Sequence, residues 1–177
     1  MLRPMTATNM CYDGTPSHST RRWAEKNGWC VREFTVTWES ARALLDRAVP
    51  IAVATVEPTS AHMQALVGYD TVRGTLLVRD PYNRQLSEFL VDQFFDRYRF
   101  CGPRGMAMVP RDQVQRLNEC TLPEAEFYDQ LYAMQDHLVA NRRSDAQQLL
   151  DALRDSDPLH RLTVEARRCL AHYDADY

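Results

Sequence analysis

Apolar and polar residues alternate between strand-like and helix-like spacing over the first 110 positions. The stretch "SHSTRRWAEKNG" predicts a short helix, which Ser17 or Ser19 can cap and Asn27-Gly28 can end. "WCVREFTVTW" interleaves aromatic and β-branched residues with polar ones, which predicts a strand. "ESARALLDRAVP" has apolar residues at helical spacing, and Pro50 closes that helix.

Three further strands are predicted in the middle of the chain. They cover residues 51–57, 62–70 and 75–80, and the last two read as a β-hairpin with a short loop. "LSEFLVDQFFDRYRF" then predicts one helix, because its apolar residues have helical spacing through Leu86, Leu90, Phe94 and Tyr98. "MAMV", between the Gly and Pro residues of "GPRGMAMVP", predicts a last strand.

The composition changes after Pro110, because residues 122–177 contain no glycine and only two prolines. Three apolar stripes predict three amphipathic helices joined by short loops. The stripes are Phe127, Leu131, Met134 and Leu138; Ala146, Leu149, Leu150 and Leu153; and Leu162, Ala166, Cys169, Leu170 and Tyr173. The sequence therefore predicts an α+β domain over residues 1–112, a linker over 113–121 and a helical tail over 122–177.

The tail fits a tetratricopeptide repeat in part. Ala146 and Pro158 are twelve residues apart, as are the small residue and the terminal proline of that repeat. Ala133 and Met134 stand where the repeat has leucine and glycine, so a generic helical hairpin is an equal alternative. A solenoid end without a polar cap normally stacks on a further repeat. The tail therefore predicts a larger parent protein or a protein partner.

Composition and charge exclude several classes of function. Of the 177 residues, 45 % are hydrophobic and 25 % charged, which is typical of a globular chain. The net charge of -3 gives no general attraction to nucleic acid or acidic membranes. The arginine pairs are expected on solvated helix faces; they are Arg21-Arg22, Arg142-Arg143 and Arg167-Arg168. No apolar run is long enough to span a bilayer and no secretory signal is recognisable, so the cytoplasm is the expected compartment.

No cofactor or metal is predicted. The chain has no glycine-rich phosphate loop, and its five cysteines are scattered without a zinc motif. The spacing of Glu57, Asp70 and Asp80 matches no calcium loop.

The predicted hairpin brings a histidine and an aspartate together. In a register centred on Thr71, His62 lies directly opposite Asp80; in one centred on Val72, His62 faces Tyr82 and Asp80 is its diagonal neighbour. Both registers put the two side chains on the same face of the sheet. Opposite residues are roughly 4.5–5.5 Å apart and diagonal ones about 7–8 Å, so both registers allow a hydrogen bond.

Such a pair has a known chemical use. The aspartate fixes the tautomer of the imidazole and stabilises its cation, and the imidazole can then take a proton from a thiol. A histidine at a strand start and an unrelated Asp-Pro turn are the structural alternative, and pattern alone favours it.

"AHMQALVGYD" followed by "GTLLVRDP" resembles the histidine and aspartate segments of the bacteriocin-processing, double-glycine type of cysteine peptidase. The resemblance implies a papain-like fold, with His62 as the catalytic histidine and Asp80 as the aspartate that orients it. "YDGTPSHSTRRWAEKNGW" and "GPRGMAMVP" resemble a subgroup whose peptidase-like domain is joined to tetratricopeptide repeats in large bacterial proteins.

The chain departs from that family at the nucleophile. In the family a Cys-Gly-Pro or Cys-Ala-Pro helix start precedes the histidine, and a glutamine lies a few residues upstream for the oxyanion hole. Here "CGP" at residues 101–103 follows both His62 and Asp80, and Cys11 precedes a turn rather than a helix. Cys30 lies in a strand pattern. We therefore expect the nucleophile helix upstream of Met1, so that the chain is a fragment, a truncated reading frame or a pseudo-peptidase.

Without that helix, Ala52, Ala54 and Leu66 are expected to lack a cover. Two functions follow from these observations. The first is hydrolysis of a peptide or amide bond, with His62 as general base, Asp80 as its orienting partner and Gln64 as a possible aid in polarising a carbonyl. The second is an inactive domain that binds a protein partner through its helical tail. A thiol within hydrogen-bond reach of His62 discriminates between them.

Overall fold

The computed structural model describes residues 17–57 and 60–175, which divide into two compact units. The sheet unit comprises residues 24–123. The helical unit comprises residues 17–23 and residues from 124 onward. Helix α1 (Ser17–Lys26) contributes residues to both, and it forms where the sequence predicted it.

The sheet unit is a six-stranded antiparallel sheet in the described residues, with strand order β1-β6-β2-β3-β4-β5. Its strands are β1 (Trp29–Thr35), β2 (Ile51–Glu57), β3 (Ser60–Asp70), β4 (Thr75–Arg79), β5 (Leu86–Leu90) and β6 (Arg104–Pro110). Its helices are α2 (Trp38–Leu45), α3 (Val91–Tyr98) and the short α4 (Gln115–Asn118), with single 3₁₀ turns at Arg99–Cys101 and Arg111–Gln113. The mixture of helices and antiparallel strands confirms the predicted α+β class, and helix α4 lies within the predicted linker.

The predicted helix over residues 86–98 is wrong in its first part. Residues 86–90 form strand β5, which pairs with β4 from Leu86↔Arg79 to Leu90↔Thr75. The helix begins only at Val91, whose N–H donates to the carbonyl of Gly74 at 3.0 Å. Residues four apart share a face both in a helix and in a strand, so the spacing of Leu86 and Leu90 does not distinguish the two. The backbone pairing with β4 makes this segment a strand.

Helix α2 begins with a capping box. The side chain of Thr37 accepts from the N–H of Ser40, and the Ser40 hydroxyl accepts from the N–H of Thr37. The helix then buries Leu44 and Ala41. The rings of Trp38 on α2 and Tyr69 on β3 meet edge to face at 5.4 Å, which holds the helix to one face of the sheet.

That face carries the core of the sheet unit. The ladder places Ile51 opposite Leu66 and Leu66 opposite Val78, and all three side chains are fully buried. The expectation that Leu66 lacks a cover is therefore wrong. Ala52 pairs with Ala65 on the other face, where successive side chains of a strand must point.

The other face of β2 and β3 is open to solvent in the described structure. Ala52 and Ala54 are half-buried there, and the neighbouring Val56 and Met63 are exposed. The expectation of uncovered apolar residues thus fails for Leu66, which lies on the opposite face from the two half-buried alanines.

The helical unit contains the three predicted helices, α5 (Ala125–Val139), α6 (Arg143–Ser156) and α7 (Arg161–Tyr173). Their buried residues form one core: Tyr128, Leu131, Met134, Leu138, Ala146, Leu150, Leu153, Leu162, Ala166 and Leu170. The predicted stripe missed Tyr128. Phe127 lies at the edge of this core and stacks on His160 at 4.1 Å. The tetratricopeptide assignment stays a prediction.

The expectation of a solvated face fails at Arg21. This side chain is buried, and its Nη2 lies 2.7 Å from Oδ1 of Asp129. Its guanidinium also lies over the ring of Tyr132 at 4.1 Å. A buried charge requires such partners, because desolvation of an unpaired ion is costly. Arg142, Arg143 and Arg168 are exposed, as predicted.

No helix in the described ranges is both long and apolar enough to cross a membrane.

Substitution of Gly105 by alanine is predicted to destabilise the sheet unit. A Cβ at this position would overlap Cγ2 of Val36 and lie 3.2 Å from both Cγ2 of Ile51 and Cζ of Phe34. Overpacking of this kind costs about 1–3 kcal/mol in the free energy of unfolding. Urea denaturation measures it. Gly68→Ala is the matched control, because its Cβ would meet only the flexible side chain of Leu77. Equal losses in the two variants would contradict the packing argument.

Candidate active site

A β-bulge at Val67 sets the face on which the candidate residues lie. Near the turn, Asp70 pairs with Thr75 and Gly68 with Leu77. Continued without interruption, that register would put His62 and Asp80 on opposite faces of the sheet. The register shifts between Leu66 and Gly68, so that Leu66 pairs with Val78. The extra residue restores the shared face, because a shift by one residue exchanges the two faces.

The resulting register corresponds to the predicted one centred on Val72. The ladder ends with the pair Ala65↔Arg79. Extension of its register beyond the end of β4 places Gln64 opposite Asp80 and His62 opposite Tyr82. The register centred on Thr71 is wrong. The rings of His62 and Tyr82 are 5.3 Å apart with a tilt of 32°, as expected for opposite residues.

The structure brings His62 and Asp80 into contact. Nε2 of His62 lies 3.1 Å from Oδ2 of Asp80. The same oxygen accepts from Nε2 of Gln64 at 2.8 Å, and Oδ1 accepts from the N–H of Tyr82 at 2.7 Å. The side chain of His62 is 29 % exposed and that of Asp80 12 %, so the aspartate is the more buried of the two.

The surrounding donors keep Asp80 ionised. The Gln64 amide and then the Tyr82 N–H hold the pKa of Asp80 below its ordinary value, burial acts in the opposite direction, and His62 lowers it further. An ionised carboxylate only accepts hydrogen bonds, so the hydrogen of neutral His62 resides on Nε2. Nδ1 is then the basic nitrogen, and it makes no hydrogen bond with the part of the chain that the structure describes.

The sequence suggests Gln64 as an aid in polarising a carbonyl. In the structure, its amide nitrogen donates to Oδ2 of Asp80. The sequence carried a signal for this contact, because Gln64 is two residues beyond His62 and must share its face.

No described cysteine reaches His62. The Sγ atoms of Cys101 and Cys120 donate to backbone carbonyls, those of Tyr98 and Arg116, at 3.1 and 3.4 Å. Cys30 lies on β1, and Cys169 lies on α7 in the helical unit. Burial raises the pKa of Cys120 and Cys169, which opposes thiolate formation. Cys11 is outside the described residues.

Comparison with known proteins shows the family of the chain. The sequence matches the Peptidase_C39 like family over residues 4–106. The chain belongs to that family. Membership gives the sheet unit the papain-like, cysteine-peptidase-like assignment that the sequence predicted.

One solved structure that resembles the chain is the peptidase domain of Streptococcus ComA, a bi-functional ABC transporter involved in a quorum sensing pathway. The two are 18 % identical, with a TM-score of 0.46, over 62 % of this chain and 75 % of that one. No curated protein matches the chain. The catalytic roles of His62 and Asp80 stay predictions.

No group of three or more His, Cys, Asp or Glu side chains suited to a metal ion occurs within residues 17–57 and 60–175.

Deletion of Val67 is predicted to leave His62 beside Asp80. Without this residue, Gly68↔Leu77 and Leu66↔Val78 become consecutive pairs, so the register beyond them and the face that carries His62 and Gln64 do not change. The pKa of Asp80 should therefore stay below its ordinary value. Carboxyl carbon NMR measures this pKa, and Val67→Ala, which keeps the extra residue, is the matched control. A folded deletion variant with a raised pKa of Asp80 would contradict the assignment of Val67 as the unpaired residue of the bulge.

Substitution of Asp80 by asparagine is predicted to cost stability in a pH-dependent way. Because folding lowers the pKa of Asp80, its ionised form stabilises the native state above its unfolded pKa of about 3.9. This contribution disappears as the pH falls through the lower, native-state pKa. Urea denaturation from about pH 3 to pH 7 should therefore show wild type and Asp80→Asn converging on acidification. Asp155→Asn, on the exposed surface of α6, controls for the lost negative charge. A gap that stays constant with pH would rule out this linkage.

Proposed function

We propose that the sheet unit hydrolyses a peptide or amide bond by cysteine-peptidase chemistry, with His62 as general base and Asp80 as its orienting partner. The observation that supports this most is the contact of 3.1 Å between Nε2 of His62 and Oδ2 of Asp80. That contact leaves Nδ1 of His62 available for a proton. Membership of the Peptidase_C39 like family agrees with the proposal.

In the proposed reaction, Nδ1 of His62 takes the proton of a cysteine thiol. The thiolate attacks the carbonyl carbon of the substrate, and a tetrahedral intermediate forms. As the C–N bond breaks, His62 returns the proton to the leaving amine, and a thioester remains. His62 then takes a proton from water, whose oxygen attacks the thioester carbon, and the thiol leaves with that proton. Asp80 stays ionised throughout and stabilises the imidazolium form of His62.

The nucleophile in this proposal comes from outside the described residues. It is either Cys11 or a cysteine that precedes this sequence in a longer protein. Cys30, Cys101, Cys120 and Cys169 are poor candidates, because none of them bonds to His62 in the described structure. This same observation favours a second candidate function, in which the sheet unit is inactive and the chain serves to bind a protein.

In both candidate functions, we propose that the helical unit binds a protein. Its three helices bury one apolar core, which agrees with a helical hairpin or a tetratricopeptide-like array. The proposed substrate is a peptide or protein, and the proposed partner of the tail is a protein.

Cysteine reactivity tests the proposal. At about pH 6 an ordinary thiol, with a pKa near 8.5, is almost entirely protonated and reacts slowly with iodoacetamide. If His62 activates Cys11, mass spectrometry of the full chain should find this cysteine alkylated roughly tenfold faster than the other four. The reason is that a decrease of one unit in the pKa of a thiol raises its thiolate fraction about tenfold at this pH. His62→Ala should remove the difference. His137→Ala, on α5 in the helical unit, is the matched control.

Uniform slow labelling would exclude an activated thiol within this chain. The DNA upstream of the Met1 codon then decides between the remaining possibilities. An in-frame Cys-Gly-Pro or Cys-Ala-Pro segment supports the peptidase, with the nucleophile supplied by a longer protein. A stop codon or an unrelated sequence supports the inactive, protein-binding alternative.

A further inference from the structure

We propose that Gln64 is a positioning residue, which holds the carboxylate of Asp80 in the orientation that aligns His62. The inference rests on the proposed peptidase function, and it adds a third side chain to the histidine–aspartate pair. Gln64 acts through Asp80 and not on the substrate.

The β3–β4 ladder gives Gln64 its place. Gln64 follows His62 by two residues on β3, so both side chains leave the same face of the sheet. The last pair of the ladder is Ala65↔Arg79, and its register, extended by one residue, puts Gln64 opposite Asp80 and makes His62 the diagonal neighbour. The closer residue makes the shorter bond, because Oδ2 of Asp80 lies 2.8 Å from Gln64 Nε2 and 3.1 Å from His62 Nε2.

Both oxygens of Asp80 are engaged. Oδ1 accepts from the N–H of Tyr82, and Oδ2 accepts from Gln64 and His62. Rotation about the Cβ–Cγ bond would break the bonds at both ends of the carboxylate. Without Gln64, only His62 would anchor Oδ2, and the diagonal contact would be free to lengthen.

The charge state of the site makes a neutral donor useful. His62 is the one titratable group among the described residues that bonds to Asp80 or shifts its pKa, and it faces Asp80 from β3. Its own charge changes during the proposed reaction. The amide of Gln64 and the N–H of Tyr82 are neutral at every step, so they keep Asp80 ionised whether His62 is neutral or protonated.

The test uses the full chain, labelled with ¹³C and ¹⁵N, and needs neither substrate nor nucleophile. Gln64→Met keeps the length of the side chain and removes the donor. Gln64→Asn keeps the amide but is one methylene too short to reach. Gln93→Met, at an exposed position on α3, is the control for the same chemical change. The readouts are the titration of the Asp80 carboxyl carbon and the ring nitrogen shifts of neutral His62, which report its tautomer.

Both Gln64 variants should shift the Asp80 titration to higher pH and lower the fraction of His62 that carries its hydrogen on Nε2. The control should change neither. A folded Gln64 variant with a wild-type titration and a wild-type tautomer would overturn the inference, and Gln64 would then be a structural residue only. If Gln64→Met does not fold, Gln64→Asn decides by the same two readouts.

These readouts separate the inference from the function on which it rests. Shifts in Asp80 and His62 without any activated thiol would support the positioning role and count against hydrolysis by this chain. Activation of a thiol that persists unchanged in both Gln64 variants would support hydrolysis and count against the positioning role.

Discussion

The candidate site depends on the one-residue register shift at Val67. A β-strand has a period of two, so an extra residue in one strand exchanges the faces of all residues beyond it unless a bulge leaves that residue unpaired. The turn of the β3–β4 hairpin has a register in which His62 and Asp80 would lie on opposite faces. The bulge cancels that mismatch. The contact between the two side chains, and the acid–base chemistry proposed for it, follow from this single irregularity.

Asp80 is the centre of the resulting network. It accepts one backbone and two side-chain hydrogen bonds while its side chain is 12 % exposed. Such a carboxylate is favourable in its ionised form because each of its donors stabilises the negative charge. The arrangement joins two requirements that often conflict. The imidazole bonds to a carboxylate that is less exposed and is itself held by two further hydrogen bonds, while the ring keeps 29 % of its surface exposed.

The two units reach stability in different ways. The sheet unit buries one face of the sheet with Leu66, Ile51 and Val78, while its other face carries exposed Val56 and Met63 between half-buried alanines. The helical unit instead packs three helices around one core and adds an ion pair between Arg21 and Asp129. The burial of Arg21 could not be predicted from the local pattern of arginines, because its partner Asp129 is more than one hundred residues away in the chain.

The sequence by itself determined most of the secondary structure and the identity of the candidate pair. Local spacing identifies α2 and the three tail helices, because their stripes of apolar residues have the helical period. Local spacing also shows that His62 and Asp80 share a face only if the numbers of paired residues on the two strands have an even sum. It misassigned Leu86–Leu90, whose spacing fits two structures. It also grouped Leu66 with Ala52 as uncovered residues. Ala52 pairs with Ala65, the residue before Leu66, so the two side chains lie on opposite faces of the sheet.

Tertiary structure decided the rest. Hydrogen bonds to β4 make residues 86–90 a strand, and packing against β2 and β4 buries Leu66. The ladder on either side of Val67 selects Gln64, rather than His62, as the residue opposite Asp80. These outcomes depend on partners distant in sequence, whose hydrogen bonds and contacts outweigh local preference. The residue types and their order thus supply the chemistry of the site, and the pairing of strands supplies its geometry.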